Sequence, residues 1–453
     1  MTQNPFITAF QNRSWGTFDE SIPFQKLQLE HFMPALDIGI EEAKKNIQKI
    51  KQDPHPATFE NTFLALESCS ELHDVVSNVY FNLFSAEASP AFQALAKEIA
   101  PKNAAFASEI MLDADLFKRI KAVYDQLSSL KLNTEQKMMV EKVYRNFVRN
   151  GALLNNEQKD VLKKLDQELS TLSPLFSEHV LKATNSFEMW VQDKQDLDGL
   201  PEGAIEAAAL DAEKKGQKGK WLFTLQAPSY IPFMQYAKNR ELRKKLWLAF
   251  NSRAFKGENS NQDVILKTVR LRHQRAQLLG YKTHADITLT ERMAESPEKV
   301  IAFQERILAA THKAAIKDLD EVREFKKSLG DTTNLEPWDF SFYSEKLKEK
   351  KYSFNEEELR PYFQLENVVQ GIFEHAKKLY GLSFKENNQL QTYHPDAKAY
   401  EVHDAQNEFI GLFYTDFFPR ETKKDGAWMT NYREQGLFMG QIRRPHVSIV
   451  CNF

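Results

Sequence analysis

Apolar and polar positions follow the period of an α-helix over most of the chain. From His31 to Ile50, residues Phe32, Ala35, Leu36, Ile38 and Ile47 fall on one side of a 3.6-residue repeat, and Pro34 is tolerable in a first turn. Thr58 to Ser85 predicts one long helix through Phe59, Phe63, Leu66, Leu72, Val76, Val79, Phe81 and Phe84. Ser89 and Pro90 supply an N-cap and an N1 proline for the next, which runs to about Leu127 with a bend at Pro101. Asn133 or Thr134 opens a helix to Arg149, which Gly151 ends, and Asn155 or Asn156 opens another to about Lys182. Ahead of these, residues 1–26 read as an extended arm with anchors at Phe6, Phe10, Trp15, Phe18 and Phe24. The first third therefore predicts an antiparallel helical bundle.

The pattern changes at Ser186. Phe187–Val191 and Trp221–Leu225 read as strands around a short helix, Glu202–Lys215, with a Gly/Lys turn at Lys214–Lys220 as a local hinge. Helices resume at about Ile231–Ala237, Arg240–Phe255, Asn261–Leu279 and Pro297–Leu329. Gly330–Pro337 is the clearest linker. Helices at Trp338–Lys350, Asn355–Tyr362 and Glu366–Tyr380 follow, and from Tyr393 the chain becomes β-patterned. The fold class is mainly α-helical with a small β-sheet near the end. The divisions fall at 1–185, 186–330 and 331–453.

Composition narrows the function classes. Sixty basic and 63 acidic residues leave a net charge of −3, which gives no electrostatic case for nucleic acid or an anionic membrane. Thirty-three phenylalanines suit wide helix–helix interfaces, while 16 glycines and 17 prolines are too few for a many-turned sandwich or barrel. Two distant cysteines, Cys69 and Cys451, make no disulfide framework and suit a reducing compartment. The N-terminus has no basic and apolar leader pattern, and no run approaches the ~18 apolar residues of a membrane span. The expectation is a cytoplasmic protein.

Self-contained catalytic motifs are missing. There is no G-x-S-x-G, no P-loop, no G-x-G-x-x-G and no C-x-x-C, and none of the 11 histidines is followed by Glu, so H-E-x-x-H is absent. His394, Asp396, His403 and Asp404 could ligate zinc if a hairpin gathered them. However, His403 and Asp404 are neighbours that face opposite sides of a strand, and both Asp396 and Asp404 sit in turn sequences. The group reads as turns. Arg270, Arg272, His273 and Arg275 read as a solvated or salt-bridged helix, Glu356–Glu358 as a helix first turn, and Cys451 as a buried thiol.

Two stretches carry more. Phe413–Asp416 is an apolar strand that ends on a carboxylate, followed by Arg420, Lys423 and Lys424 and then Gly426-Ala427-Trp428-Met429. A Gly-Ala pair before a tryptophan leaves room for another backbone, as an edge strand that holds a peptide would need. Arg444–Asn452 reads as a central strand that ends in a polar residue. Tyr414, Asp416, Arg420, Gly426, Ala427 and Trp428 are thus the substrate-channel candidates.

With these residues the chain resembles the thimet-oligopeptidase family of zinc peptidases, and within it the bacterial peptidyl-dipeptidase branch. The resemblance rests on Asn61–Glu67, Leu271–Tyr281, Met293–Val300, Glu336–Leu347, Leu359–Phe373, Tyr393–Asp396, Phe413–Arg420, Gly426–Met429 and Val450–Phe453, in order along the chain. It implies a two-lobed helical ellipsoid with a channel between the lobes and short peptides as substrates. It also implies one zinc, held by the two histidines of H-E-x-x-H and a downstream Glu. In the family that motif follows the strand matched by Val450–Phe453, so no zinc ligand and no catalytic residue can be assigned here. The expectation is the N-terminal two-thirds of such a peptidase, inactive alone. The alternatives are one half of a split peptidase or a non-catalytic peptide-binding scaffold. Intact family members are usually monomers; here, uncovered apolar surface and an unpaired edge on the terminal strand predict association.

Overall fold

A computed structural model describes residues 4–11, 21–438 and 440–453. Trp15, Phe18 and the side chain of Phe10 lie outside the described residues. Part of the expected extended arm is helical. Asn4 caps α1 (Pro5–Gln11) by accepting from the Phe6 amide at 3.0 Å, and Phe6 enters the core edge-on to Phe32 at 5.3 Å. A 3₁₀ turn at Phe24–Lys26 precedes α2 (Leu29–Gln52).

The long helix expected over Thr58–Ser85 is three pieces: a π-turn at Phe59–Leu64, α3 (Ala65–Glu67) and α4 (Glu71–Ala86). Ser68 makes the break, because its hydroxyl donates to the Leu64 carbonyl at 2.9 Å and competes with the ladder. The next predicted helix is also divided, into α5 (Pro90–Met111) and α6 (Ala114–Tyr124). Asp113 starts α6 by accepting from the Leu116 amide at 2.8 Å while pairing with Lys51 at 2.6 Å. Of the expected alternatives, Asn133 caps α7 (Thr134–Arg149) and Asn155 caps α8 (Asn156–Asn185), each in a capping box.

The middle of the chain builds a small satellite. Strands β1 (Met189–Val191) and β2 (Trp221–Phe223) pair antiparallel around α9 (Glu202–Lys214). Next come α10 (Ala227–Tyr236), α11 (Arg240–Asn251), α12 (Gln262–Leu278), α13 (His284–Leu289), α14 (Pro297–Ser328) and α15 (Pro337–Tyr352). Asp339, fully buried, ties α11 to α15 through Arg240 at 2.8 Å and Arg243 at 3.1 Å. The expected linker at 330–337 is a clamped turn: the Lys326 ammonium reaches Asp331 at 2.7 Å and the Thr333 carbonyl at 2.6 Å. The helix expected at Asn355–Tyr362 is two 3₁₀ turns, since Pro361 cannot donate to a continued ladder.

Last come α16 (Leu365–Tyr380), β3 (Ser383–Glu386), β4 (Lys398–His403), β5 (Phe409–Asp416), β6 (Trp428–Arg433), β7 (Gly436–Phe438), β8 (Gln441–Arg443) and β9 (His446–Val450). Five of these strands form one sheet in the order β3-β4-β5-β9-β6, in which β5 and β9 run parallel and the other pairs antiparallel. β9 is therefore interior. The unpaired edge expected on the terminal strand belongs instead to β6, because β6 turns back and pairs along β9's outer side.

One face of this sheet is fused to the N-terminal helices. Leu412, Tyr414, Tyr432 and Ala399 share a core with Phe6, Phe32, Val76, Val79 and Tyr80. The opposite face is covered by α16 over β3 to β5, where Phe373 stacks on Phe384 at 4.2 Å and meets Tyr400 and Phe413 edge-on. By register, Met429 and Ile449 share that opposite face, and Met429 is exposed.

Candidate functional site

The candidate residues gather where β5 ends and β6 begins, beside the C-terminus of α4. Asp416, the last residue of β5, has no exposed surface. Its carboxylate accepts from Arg420 at 2.7 and 2.9 Å, from Lys423 at 2.8 Å and from the Tyr393 hydroxyl at 2.6 Å. Burial pushes this carboxyl up, but the bonds from Arg420, Lys423 and Tyr393 outweigh it and hold it below the usual carboxylate range. Burial, with the Asp416 charge alongside, pushes the Tyr393 hydroxyl the other way.

Both cations are held on more than one side. Arg420 donates to Glu87 at 2.7 Å and to the Ala86 carbonyl at 2.8 Å, just past the end of α4. Lys423, almost wholly buried, reaches the carbonyls of Asp416, Phe418 and Cys451 at 3.1, 2.7 and 2.7 Å. Burial lowers its basicity, against the pull of Asp416. The network thus joins β5, the turn after it, β9's exit and the N-terminal helices into one rigid corner. Asp416 and Arg420, both channel candidates, are turned toward each other, and Arg420 also toward Glu87. Lys423 and Glu87 were not among the candidates. Glu87 lies 333 residues from its partner Arg420, a separation that sequence spacing cannot bridge.

Tyr414 is fully buried in the shared core, edge-on to Phe24 and Tyr432, with its hydroxyl pushed up by desolvation. The Gly426-Ala427 pair is exposed and leads directly into β6. Gly426 holds φ +102°, a region glycine reaches without strain, and nothing crowds its Cα. The Asn452 amide grips this entry by donating to the Gly426 carbonyl at 2.7 Å and the Lys424 carbonyl at 3.1 Å. Trp428 is half-buried with the Lys424 ammonium 5.9 Å from its ring. Further along, Asn82 of α4 donates to the Asn431 carbonyl at 2.8 Å and accepts from Thr430, which fixes the second half of β6.

The other singled-out groups have local roles. Asp404 accepts from the Gln406 and Glu408 amides at 2.9 and 2.8 Å, as a hairpin turn requires. His394 accepts from the Asp396 amide at 3.1 Å, and His403 lies 3.5 Å from Glu401 rather than beside His394's turn. Arg275 pairs with Asp166 at 2.6 Å. Glu356 meets Lys348 at 2.5 Å, and the Cys451 thiol is buried and pushed up by desolvation. Among the described residues no group of three or more His, Cys, Asp or Glu side chains could hold a metal ion. The residues present therefore do not fit a catalytic zinc site, and no step of hydrolysis can be derived from them.

Residues 233–453 match the family model for peptidase family M3. The chain is 33% identical to oligopeptidase A of Escherichia coli K12 over 459 residues, covering 99% of this chain and 66% of that protein. It is also 33% identical to dipeptidyl carboxypeptidase of the same organism over 455 residues, covering 100% of this chain and 66% of that protein. A third relative, from Arabidopsis thaliana and named probable cytosolic oligopeptidase A, is 31% identical over 95% of this chain and 63% of its own length. The helical scaffold with its small sheet belongs to peptidase family M3. The chain spans about two thirds of the length of these relatives.

Proposed function

We propose that this chain is the peptide-holding scaffold of a zinc-dependent M3 peptidase that acts on short peptides in the cytoplasm. The observation that carries the reading is β6: an edge strand of the five-stranded sheet, entered through the exposed, unbulky Gly426-Ala427 pair. A peptide laid along that edge would gain main-chain hydrogen bonds as a sixth strand, with Trp428 and Met429 on its two sides. Asp416, Arg420 and Lys423 keep the corner behind this strand fixed, so their role is positioning.

Hydrolysis in this reading requires an H-E-x-x-H segment, and the 453 residues contain none. The chain by itself then binds peptides without cleaving them. Zinc, when supplied with its ligands by a further segment or a separate chain, would polarise the scissile carbonyl. An uncovered apolar stripe supports the need for such a cover. α15 packs on Val322 of α14, and the same helix leaves Ile301, Ile307 and Leu308 exposed ahead of it. A 32-residue helix with that much apolar surface in water lacks the tertiary partner that most helices depend on.

The test is binding of a blocked, uncleavable hexapeptide, followed by NMR or fluorescence, to the parent chain and to Ala427→Pro. Saturable binding that the proline weakens tenfold or more is expected. Binding that is absent, or indifferent to the proline, overturns the β6 reading.

A further inference from the structure

A cavity of about 230 Å³ opens on the other side of the Lys424-Asp425 turn, between the end of α4, the start of α5 and the second half of α8. Half-buried Phe84, Val180 and Leu181 supply apolar wall, Phe176 is exposed at the rim, and Gln93, Glu178 and Thr184 are buried in the lining. One polar group in the wall is unmet. Gln93 is 6% exposed, and its Nε2 donates to the Ala88 carbonyl at 3.0 Å. That bond fixes the amide's orientation and leaves Oε1 buried without a hydrogen-bond partner.

Two charged groups that line the cavity, Glu178 and Arg253, are held in ion pairs, while Lys424 at the exposed turn has its ammonium 5.9 Å from the Trp428 ring. Glu178 is held by Lys182 at 2.6 Å and Lys97 at 3.0 Å. Arg253 pairs with Asp425 at 2.8 Å and lies over the Phe250 ring at 3.9 Å. A charged ligand drawn to Glu178 or Arg253 would break one of these pairs, whereas a neutral one need not. The size is below that of a drug-like pocket and near that of a single ring system. Two phenylalanines favour an aromatic occupant through edge contacts.

We propose that this cavity binds a neutral aromatic group carrying one hydrogen-bond donor, indole- or phenol-like, with the donor directed to Gln93 Oε1. The site stands apart from the β6 edge and does not depend on the peptidase reading. The same chemistry could arrive as a free small molecule or as a Trp or Tyr side chain of a peptide.

Titration of the 453-residue chain with indole, and with toluene as the donor-less control, tests it by calorimetry or ligand-observed NMR. Indole should bind saturably and several-fold more tightly than toluene. Gln93→Met should weaken indole several-fold, up to about tenfold, and leave toluene unchanged. Ser177→Trp, placed at the half-buried rim so that the deep wall stays intact, should abolish both. A parallel arm with N-acetyltryptophanamide separates the sources: binding there admits a peptide side chain, and binding of indole alone assigns a free molecule. No saturable indole binding up to its solubility limit overturns the proposal, as does indole binding indifferent to both substitutions.

Discussion

Asp416→Asn isolates the charge at the centre of the corner that positions β6. The asparagine keeps the shape and some accepting capacity, so what is lost is the negative charge facing two buried cations. Removing one partner of a buried pair costs about 3–5 kcal/mol when the other is left uncompensated. Here both cations keep partners: Lys423 retains three carbonyls and Arg420 retains Glu87 and the Ala86 carbonyl. The low end, about 3 kcal/mol, is therefore expected. In a 453-residue chain that melts as one unit, with about 2.1 cal/mol/K of unfolding entropy per residue, that corresponds to a drop of roughly 3 °C. Lys423→Met should cost a similar amount, and the double variant should recover at least ~1 kcal/mol of the summed loss because the two sites share one interaction. The pH dependence has a definite sign. Asp416 is held below its unfolded value, so its contribution is present above about pH 4 and is lost as the pH falls through the folded value. Asp416→Asn should flatten that acid limb. Thermal and urea melts by circular dichroism, repeated between pH 3 and 7, measure all of this. A variant within about 0.5 kcal/mol of the parent, or strict additivity with Lys423→Met, would refute the coupled-corner account.

Three further outcomes follow from packing and burial. Gly39→Ala should destabilise by about 1–3 kcal/mol in chemical denaturation, since a Cβ there would sit 2.6 Å from the His73 backbone nitrogen where α2 crosses α4. Cys69 is buried with its thiol pushed up to about 11, and Cys451 is also buried. A thiol reagent at pH 8 should therefore label neither in the native chain and both after unfolding, and rapid native labelling would contradict the packing. The exposed stripe on α14 should drive concentration-dependent association in sedimentation, and Ile301→Glu with Leu308→Glu should reduce it; a monodisperse parent would remove that expectation.

Much of the helical scaffold is legible in the sequence because its signals are local. Asn133 and Asn155 each carry a cap and a Gln three residues on, and both boxes form. Ser296-Pro297 opens α14 as its sequence indicates. The apolar run of β9 reads as a central strand, yet the edge expected on it lies on β6, because strand order depends on a pairing that the run itself does not encode. What escaped depends on partners far away in the chain. Phe6 makes its segment part of the core only because Phe32 and Tyr80 meet there. Ser68 breaks a helix whose apolar period continues across it. Asp416 and Arg420 looked available until Glu87, Lys423 and Tyr393 closed around them. The Gly426-Ala427 pair is exposed at the start of β6, and small residues before a strand are recognised without a distant partner.

The central claim is that this chain holds peptides but lacks the chemistry to cut them. Incubating it with a mixture of short peptides and zinc, and following the products by mass spectrometry, tests that most directly. The account predicts intact peptides, with no C-terminal dipeptides released above a no-protein control. Zinc-dependent turnover by the 453-residue chain alone, abolished by a chelator and restored by metal, would contradict it.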